Sequence, residues 1–260
     1  MTGPTPLLDF FKRGEVPRDV RLLAAQGALA PRALEQLSIL VLLMEDGDEE
    51  VRKTATETVG KIPEAALKSF LARSDVPTSL RDFFAGRGVT PTDPALESES
   101  PLVDSAPDVE EEAPEDASDD ERRLSITQQL NKMGFTQRLR AAAKGSREMR
   151  AILIRDANKM IAATVLSSPK LSEQEVETFS RMTNVGEEVL RIIGNNRAWT
   201  KNYGVILGLT KNPKTPLAMS MNFMSRLNDR DLNMLSNDRN VPEPLRVAAR
   251  KRVVAATSKK

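Results

Sequence analysis

The chain has 260 residues, 38 of them Lys or Arg and 37 Asp or Glu, with neither His nor Cys. The two missing residue types exclude disulfides, thiol nucleophiles, His-dependent triads and Cys/His metal sites. A hydrophobic fraction of 40 % suffices for a globular core, while 4 % aromatics and an abundance of Ala, Leu, Arg, Lys and Glu point to helix and away from sandwiches and barrels.

Residues 1–11 show no basic stretch followed by a long apolar core, so no signal peptide is expected. The longest apolar run, 39–44, falls far short of the roughly 20 residues that cross a bilayer. No lipidation motif is present. A cytoplasmic protein without a membrane partner is expected.

Between 34 and 44, Leu34, Leu37, Ile39, Leu40, Val41, Leu42 and Leu43 form the wide apolar surface of a buried helix. Asp46-Gly47-Asp48 breaks it and supplies an N-cap. Val51, Ala55, Thr58 and Val59 then recur at helical spacing. Pro63 starts a further helix with Leu67, Phe70 and Leu71 inward. Asp75-Val76-Pro77 starts another with Leu80, Phe83 and Phe84 inward.

Composition changes at Val89. Residues 91–121 carry 13 acidic and no basic residues, against a net charge of −1 for 1–90 and +13 for 124–260. Such a Pro-, Ser- and acid-rich stretch buries too little surface to offset its chain entropy, and its like charges extend it. A disordered acidic linker is therefore expected over 89–121, between a module at 1–88 and a basic module at 122–260.

The second module repeats the helical grammar. Apolar pairs and triplets recur at Met149, Ile152 and Leu153; Ile161 and Val165; Val176 and Phe179; Val189, Ile192 and Ile193; Val205, Ile206 and Leu209. Ser172-x-x-Glu175, Asn184-x-x-Glu187 and Asn240-x-x-Glu243 have the spacing of capping boxes. Internal similarity is present as well. Asp75-Val76-Pro77-Thr78-Ser79-Leu80-Arg81 matches Asn240-Val241-Pro242-Glu243-Pro244-Leu245-Arg246. Lys159-Met160-Ile161-Ala162 with Ser168-Pro169-Lys170 lines up 44 positions ahead with Tyr203-Gly204-Val205-Ile206 and Asn212-Pro213-Lys214. Helical repeats of the HEAT and armadillo type run about 40–47 residues.

Asp48-Glu49-Glu50-Val51-Arg52-Lys53-Thr54-Ala55 resembles the second-helix signature of HEAT-like repeats. Asn195-Asn196-Arg197-Ala198-Trp199, with Asn212-Pro213-Lys214-Thr215-Pro216, resembles the shorter units of the leucine-rich-repeat variant group, as in bacterial-type repeat proteins. The resemblance spans roughly 15–87 and 145–255. It implies stacked helix pairs in an α-solenoid and a role in binding proteins or, less often, nucleic acids. It carries no catalytic residue.

The remaining candidates for chemistry read as structure. Glu173 and Glu177 share a helix face, but sit in a first turn where Glu favours the helix dipole. Asn228-Asp229-Arg230 and Asn237-Asp238-Arg239 read as caps and turns. Lys144-Gly145-Ser146 lacks the earlier glycine and strand of a phosphate loop, and Gly194, Gly204 and Gly208 make no dinucleotide fingerprint. No catalytic residue, cofactor, metal or small-molecule substrate is expected.

The basic surface is the one feature with functional content. Arg138, Arg140, Lys144, Arg147 and Arg150 form one cluster. Arg191, Arg197, Lys201, Lys211 and Lys214 form a second, with Trp199 and Tyr203 inside it. Arg246, Arg250, Lys251 and Arg252 form a third on the last helix. Trp199 and Tyr203 would either stack on bases or pack as core, and Tyr203 beside Val205 and Ile206 favours core. An all-α, non-catalytic scaffold is expected, its second and third clusters binding an acidic protein partner. The alternative is a nucleic-acid-binding repeat protein whose basic module the acidic linker screens.

Overall fold

The computed structural model describes residues 5–30, 32–92, 100–103 and 119–257. Every regular element among them is helical: sixteen α-helices and one 3-10 turn. The linker residues 93–99 and 104–118 lie outside the described residues. No described helix is long and apolar enough to cross a membrane.

The chain forms two compact units. The first comprises Met1–Leu153 with Thr164–Lys170, the second Ile154–Ala163 with Leu171–Lys260. The division falls inside the segment that the charge pattern assigns to a single basic module.

The first unit contains α1 (Pro6–Lys12), α2 (Arg18–Ala25), α3 (Ala33–Leu43), α4 (Glu49–Gly60), α5 (Glu64–Leu71), α6 (Thr78–Ala85), α7 (Asp119–Lys132), α8 (Phe135–Lys144) and α9 (Arg147–Leu153). The buried apolar run becomes α3, which packs against α1, α2 and α4. Its core joins Leu37 to Ile62, Leu67, Phe70, Leu71, Val76, Leu80 and Phe84. Phe70 and Phe84 are essentially fully buried, and each contributes roughly 1.5–3 kcal/mol by leaving water. Asp48 caps α4, its carboxylate accepting from the Glu50 and Val51 amides. Pro17, Pro63 and Pro77 occupy the N-cap position, with φ between −58° and −59° and extended ψ. The locked ring thus serves just outside the helix rather than at its first residue.

Two expectations for 89–121 change. Val89 packs against the core, and so do Leu102 and Val103 in the described stretch 100–103. The helix α7 begins at Asp119.

The second unit contains α10 (Lys159–Val165, its last two residues in the first unit), α11 (Glu173–Arg181), α12 (Glu187–Asn195), the 3-10 turn (Trp199–Lys201), α13 (Tyr203–Lys211), α14 (Leu217–Met224), α15 (Asp229–Asn237) and α16 (Glu243–Thr257). Helices α10, α11 and α12 begin at 159, 173 and 187, and α13, α14 and α15 at 203, 217 and 229. The 44-residue sequence echo therefore coincides with the recurrence of the first two of these helices, while the third recurs after 42 residues; stacked helix pairs were expected. Packing is not repeated evenly: α15 lies along α16, whereas α12 barely meets α13. The core gathers Ile206, Met224, Leu227, Leu232, Leu235, Val241, Leu245 and Ala249.

Local chemistry sets the helix ends. Ser172 and Glu175 form the expected capping box, the Ser172 hydroxyl accepting from the Glu175 amide while Glu175 Oε2 accepts from the Ser172 amide at 2.9 Å. The other two expected boxes are corrected. The N-cap of α12 is Gly186, not Asn184. Glu243 is the first residue of α16, three positions after Asn240, so no reciprocal box closes there. Asn240 instead donates its amide to Asp238 Oδ1 in a tight turn. Asn228 caps α15 as expected.

Two helix glycines mark close packing. A Cβ on Gly208 would lie 2.1 Å from Ser180 Oγ, and one on Gly204 would collide with the Glu177 carboxylate. Only hydrogen at these two positions lets α13 approach α11 so closely.

Candidate interaction surface

The basic residues singled out in the sequence divide into those engaged by the fold and those left to solvent. Arg191 is exposed and pairs with Glu187 one turn earlier at 2.5 Å, an ordinary surface ion pair. It borders a depression lined also by Arg155, Lys159, Asp156, Glu187 and Glu188. Three cations face three carboxylates there, which leaves no net attraction for a polyanion.

Arg250 is a helix cap. Its Nε donates to the Ser236 carbonyl at 3.1 Å, near the end of α15. Arg246, its neighbour one turn earlier, is half-buried, and its Nε is sealed from water without a hydrogen-bond partner among the described residues. The same use of arginine recurs in the first unit. Arg81, which the sequence match aligns with Arg246, donates to the Leu71 and Arg73 carbonyls at the end of α5. Arg150, from the first basic cluster, is buried and donates to the Gly145 and Lys170 carbonyls. Lys144-Gly145-Ser146 is the turn from α8 to α9, with Ser146 Oγ accepting from the Met149 amide.

Trp199 is half-buried in the 3-10 turn. Tyr203 is 39 % exposed, which corrects the expectation that it packs as core. Its hydroxyl donates to Asp231 Oδ2 at 2.5 Å and accepts from the Asn228 amide at 3.2 Å. Burial, and then the Asp231 carboxylate, hold the hydroxyl above its usual pKa, so it stays a donor.

Arg197, Lys201, Lys214, Lys251 and Arg252 are exposed, Lys211 is half-buried, and no carboxylate pairs with any of them among the described residues. Two of the exposed cations stand on α16, whose outer face is partly apolar. Leu245 and Ala249 anchor the helix in the core. On the other side Val247 is 40 % and Val254 63 % exposed. Positions 247, 251 and 254 follow one another at helical spacing, so Val247, Lys251 and Val254 form one stripe. Its N-terminal part opens on a depression lined by Glu243, Pro244, Val247, Ala248 and Lys251.

The two valines were missed in the sequence, where only the basic residues of this helix drew notice. The available signal was their placement out of phase with the core positions Val241, Leu245 and Ala249. No described group of three or more acidic residues is gathered to hold a metal ion. No protein-family model, curated protein or solved structure matches the chain.

Proposed function

We propose that the chain is a non-catalytic scaffold of HEAT-like helical repeats that acts in the cytoplasm and binds protein partners, with α16 as the main contact surface of its second unit. The recurrence of three helices, two of them at 44 residues and the third at 42, supports the repeat reading. The observation that carries the binding reading is the exposed Val247–Val254 stripe with Lys251 within it and Arg252 beside it. Apolar surface rimmed by cations favours an acidic, amphipathic protein segment: the valines supply contact area, and the cations select charge and speed encounter. Nucleic acid is the weaker reading, because Tyr203 is tied to α15 and Arg250 to a carbonyl.

The test uses the full chain with Val247→Asp and Val254→Asp, both on exposed positions. Affinity capture from the native host is expected to lose its specific partner at least tenfold, with the melting temperature unchanged. Retention of every partner overturns the assignment to α16. A parallel salt series with short DNA and RNA checks the rival. Sub-micromolar binding with a steep log–log salt slope transfers the function to nucleic acid.

A further inference from the structure

The first unit holds a short non-helical segment, bent at Ser100 and Leu102, in a way that ordinary core packing does not require. Residues 100–103 form no helix, yet Pro101, Leu102 and Val103 are half-buried. Leu102 and Val103 lie against the core of α3, α5 and α6. One side chain, Gln36 on α3, reads their backbone. Its Oε1 accepts from the Leu102 amide at 2.8 Å and the Val103 amide at 3.0 Å. Its Nε2 donates to the Val103 carbonyl at 2.5 Å and to the Gly27 carbonyl at 3.0 Å. A carboxamide has two donor hydrogens and two acceptor lone pairs, and all four are used. Gln36 is only 2 % exposed, so this saturation is what makes its burial tolerable.

The wall of the groove is shaped to match. Gly27 has φ +78°, a conformation glycine adopts without strain. A Cβ there would stand 3.3 Å from Val103 Cβ and Cγ1 and 3.4 Å from Thr58 Cγ2. Glycine therefore both makes the turn and leaves room for the valine.

We infer that this groove is a peptide-binding site for a bent Pro-apolar-apolar segment with acidic flanks, and that the chain's own Ser100-Pro101-Leu102-Val103 occupies it as a cis ligand. Two consecutive amides on one carboxamide oxygen require the backbone to turn, so Gln36 selects the bent backbone while the notch at Gly27 admits the Val103 side chain. Proline ahead of the apolar pair fixes its own φ and restricts Ser100, so the segment loses less freedom on seating. Glu97, Glu99 and Asp104 flank it in sequence, and Leu102-Val103 is the only adjacent pair of large apolar residues within 91–121. Residue 92 is also fixed, its amide donating to the Lys68 carbonyl, so only residues 93–99 separate the two anchored points. A ligand carried on the same chain is held at high effective concentration, which keeps a weak ligand seated while leaving it displaceable. An acidic-flanked segment of the same type on another protein is the competitor this site admits. The inference does not depend on the reading of α16.

The experiment uses the full chain throughout. Leu102→Ser with Val103→Ser is expected to empty the groove. A fluorescent peptide of residues 97–106 should then bind that variant at least tenfold more tightly than it binds the native chain, whose site is filled. Adding Gln36→Ala should remove the binding. Equal affinity for the native and emptied chains, or none for the emptied chain, overturns the inference. Hydrogen exchange on the native chain decides independently of any variant's folding. The Leu102 and Val103 amides are expected to exchange at least tenfold more slowly than an unstructured chain, and exchange at the unprotected rate overturns the inference.

Discussion

The two units meet the same difficulty with opposite chemistry. Each has a helix end that its own local residues leave unsatisfied, and each closes it with a side chain distant in sequence. In the first unit, Thr5 makes no side-chain cap at the start of α1. Glu35 of α3 does so instead, its Oε1 accepting from the Leu7 amide at 3.0 Å, the Leu8 amide at 3.4 Å and Ser167 Oγ at 3.3 Å. In the second unit, Asn212 closes the end of α11, its Nδ2 donating to the Ser180 and Met182 carbonyls at 3.0 and 2.9 Å. One remote cap titrates and the other does not. The fold accepts either, but only the first makes stability answer to pH.

The largest expected effect follows from that difference. Glu35 is fully buried, and its Oε2 has no hydrogen-bond partner among the described residues. Burial pushes its carboxyl up to about 7, against smaller opposing effects from Ser167, the Leu8 and Leu7 amides and the Arg32 charge. A carboxyl whose folded pKa lies above its unfolded value stabilises the fold fully at pH below the unfolded value, near 4.5, and loses that contribution as pH rises through 7. The native chain should therefore lose roughly 3 kcal/mol between pH 5 and 8, in order of magnitude. Glu35→Gln keeps the acceptor and removes the charge. It should flatten this slope and be the more stable protein at pH 8, as read by chemical denaturation at both pH values. Asp48, Glu64 and Asp75 have lowered pKa values, so they act in more acidic solution and in the opposite sense. A flat native profile would break the comparison, because both caps would then behave alike.

Asn212→Ala is the next effect in size. It strips the donors from two carbonyls and the acceptor from the Lys214 amide, which Asn212 Oδ1 receives at 3.0 Å. Asn212 is 3 % exposed, so water does not replace these bonds freely. A loss of about 2 kcal/mol is expected, equal at pH 5 and 8. Asn212→Asp sharpens the test, since it keeps the acceptor and turns a carboxylate toward two carbonyls. It should be worse than alanine at pH 8 and recover in acid. A cost for Asn212→Ala below roughly 0.5 kcal/mol would mean that the end of α11 finds other partners.

The sequence exposes what is local and hides what is remote. Asp48, Ser172 and Asn228 announce their helices because a cap and its amides lie within three positions. The buried face of α3 is legible because its apolar residues are contiguous. Glu35 and Gln36, within that same run, carry no local signal of their roles. Their partners lie 28 and 67 positions away, at Leu7 and Val103, and no spacing rule reaches so far. Gly204 and Gly208 form no nucleotide fingerprint and instead mark the approach of α13 to α11, which no local spacing announces. The basic clusters misled in another way. Formal charge counts Arg81, Arg150 and Arg250 as surface, while the carbonyls at helix ends claim them. Fewer cations are free for a partner than the net charge implies.

The smallest effect separates a local cap from a remote one within a single helix. At the start of α15, Asn228 Oδ1 accepts from the Asp231 amide at 2.8 Å, which is half of a capping box. The reciprocal half, made directly by Glu175 in α11, is relayed here. The Asn228 amide donates to the Tyr203 hydroxyl, which donates in turn to Asp231. Aspartate is one methylene shorter than glutamate, and the tyrosine hydroxyl spans the difference. Tyr203→Phe removes the relay and keeps the ring, so a loss of about 0.5–1 kcal/mol is expected, small because the site is partly open to water. Asp231→Glu in the Tyr203→Phe background lengthens the carboxylate arm and should restore most of that loss by closing the box directly. The pair of melting curves distinguishes the relay from simple packing. If Asp231→Glu restores nothing, the hydroxyl serves only to join α13 to α15, and α15 is capped by Asn228 alone.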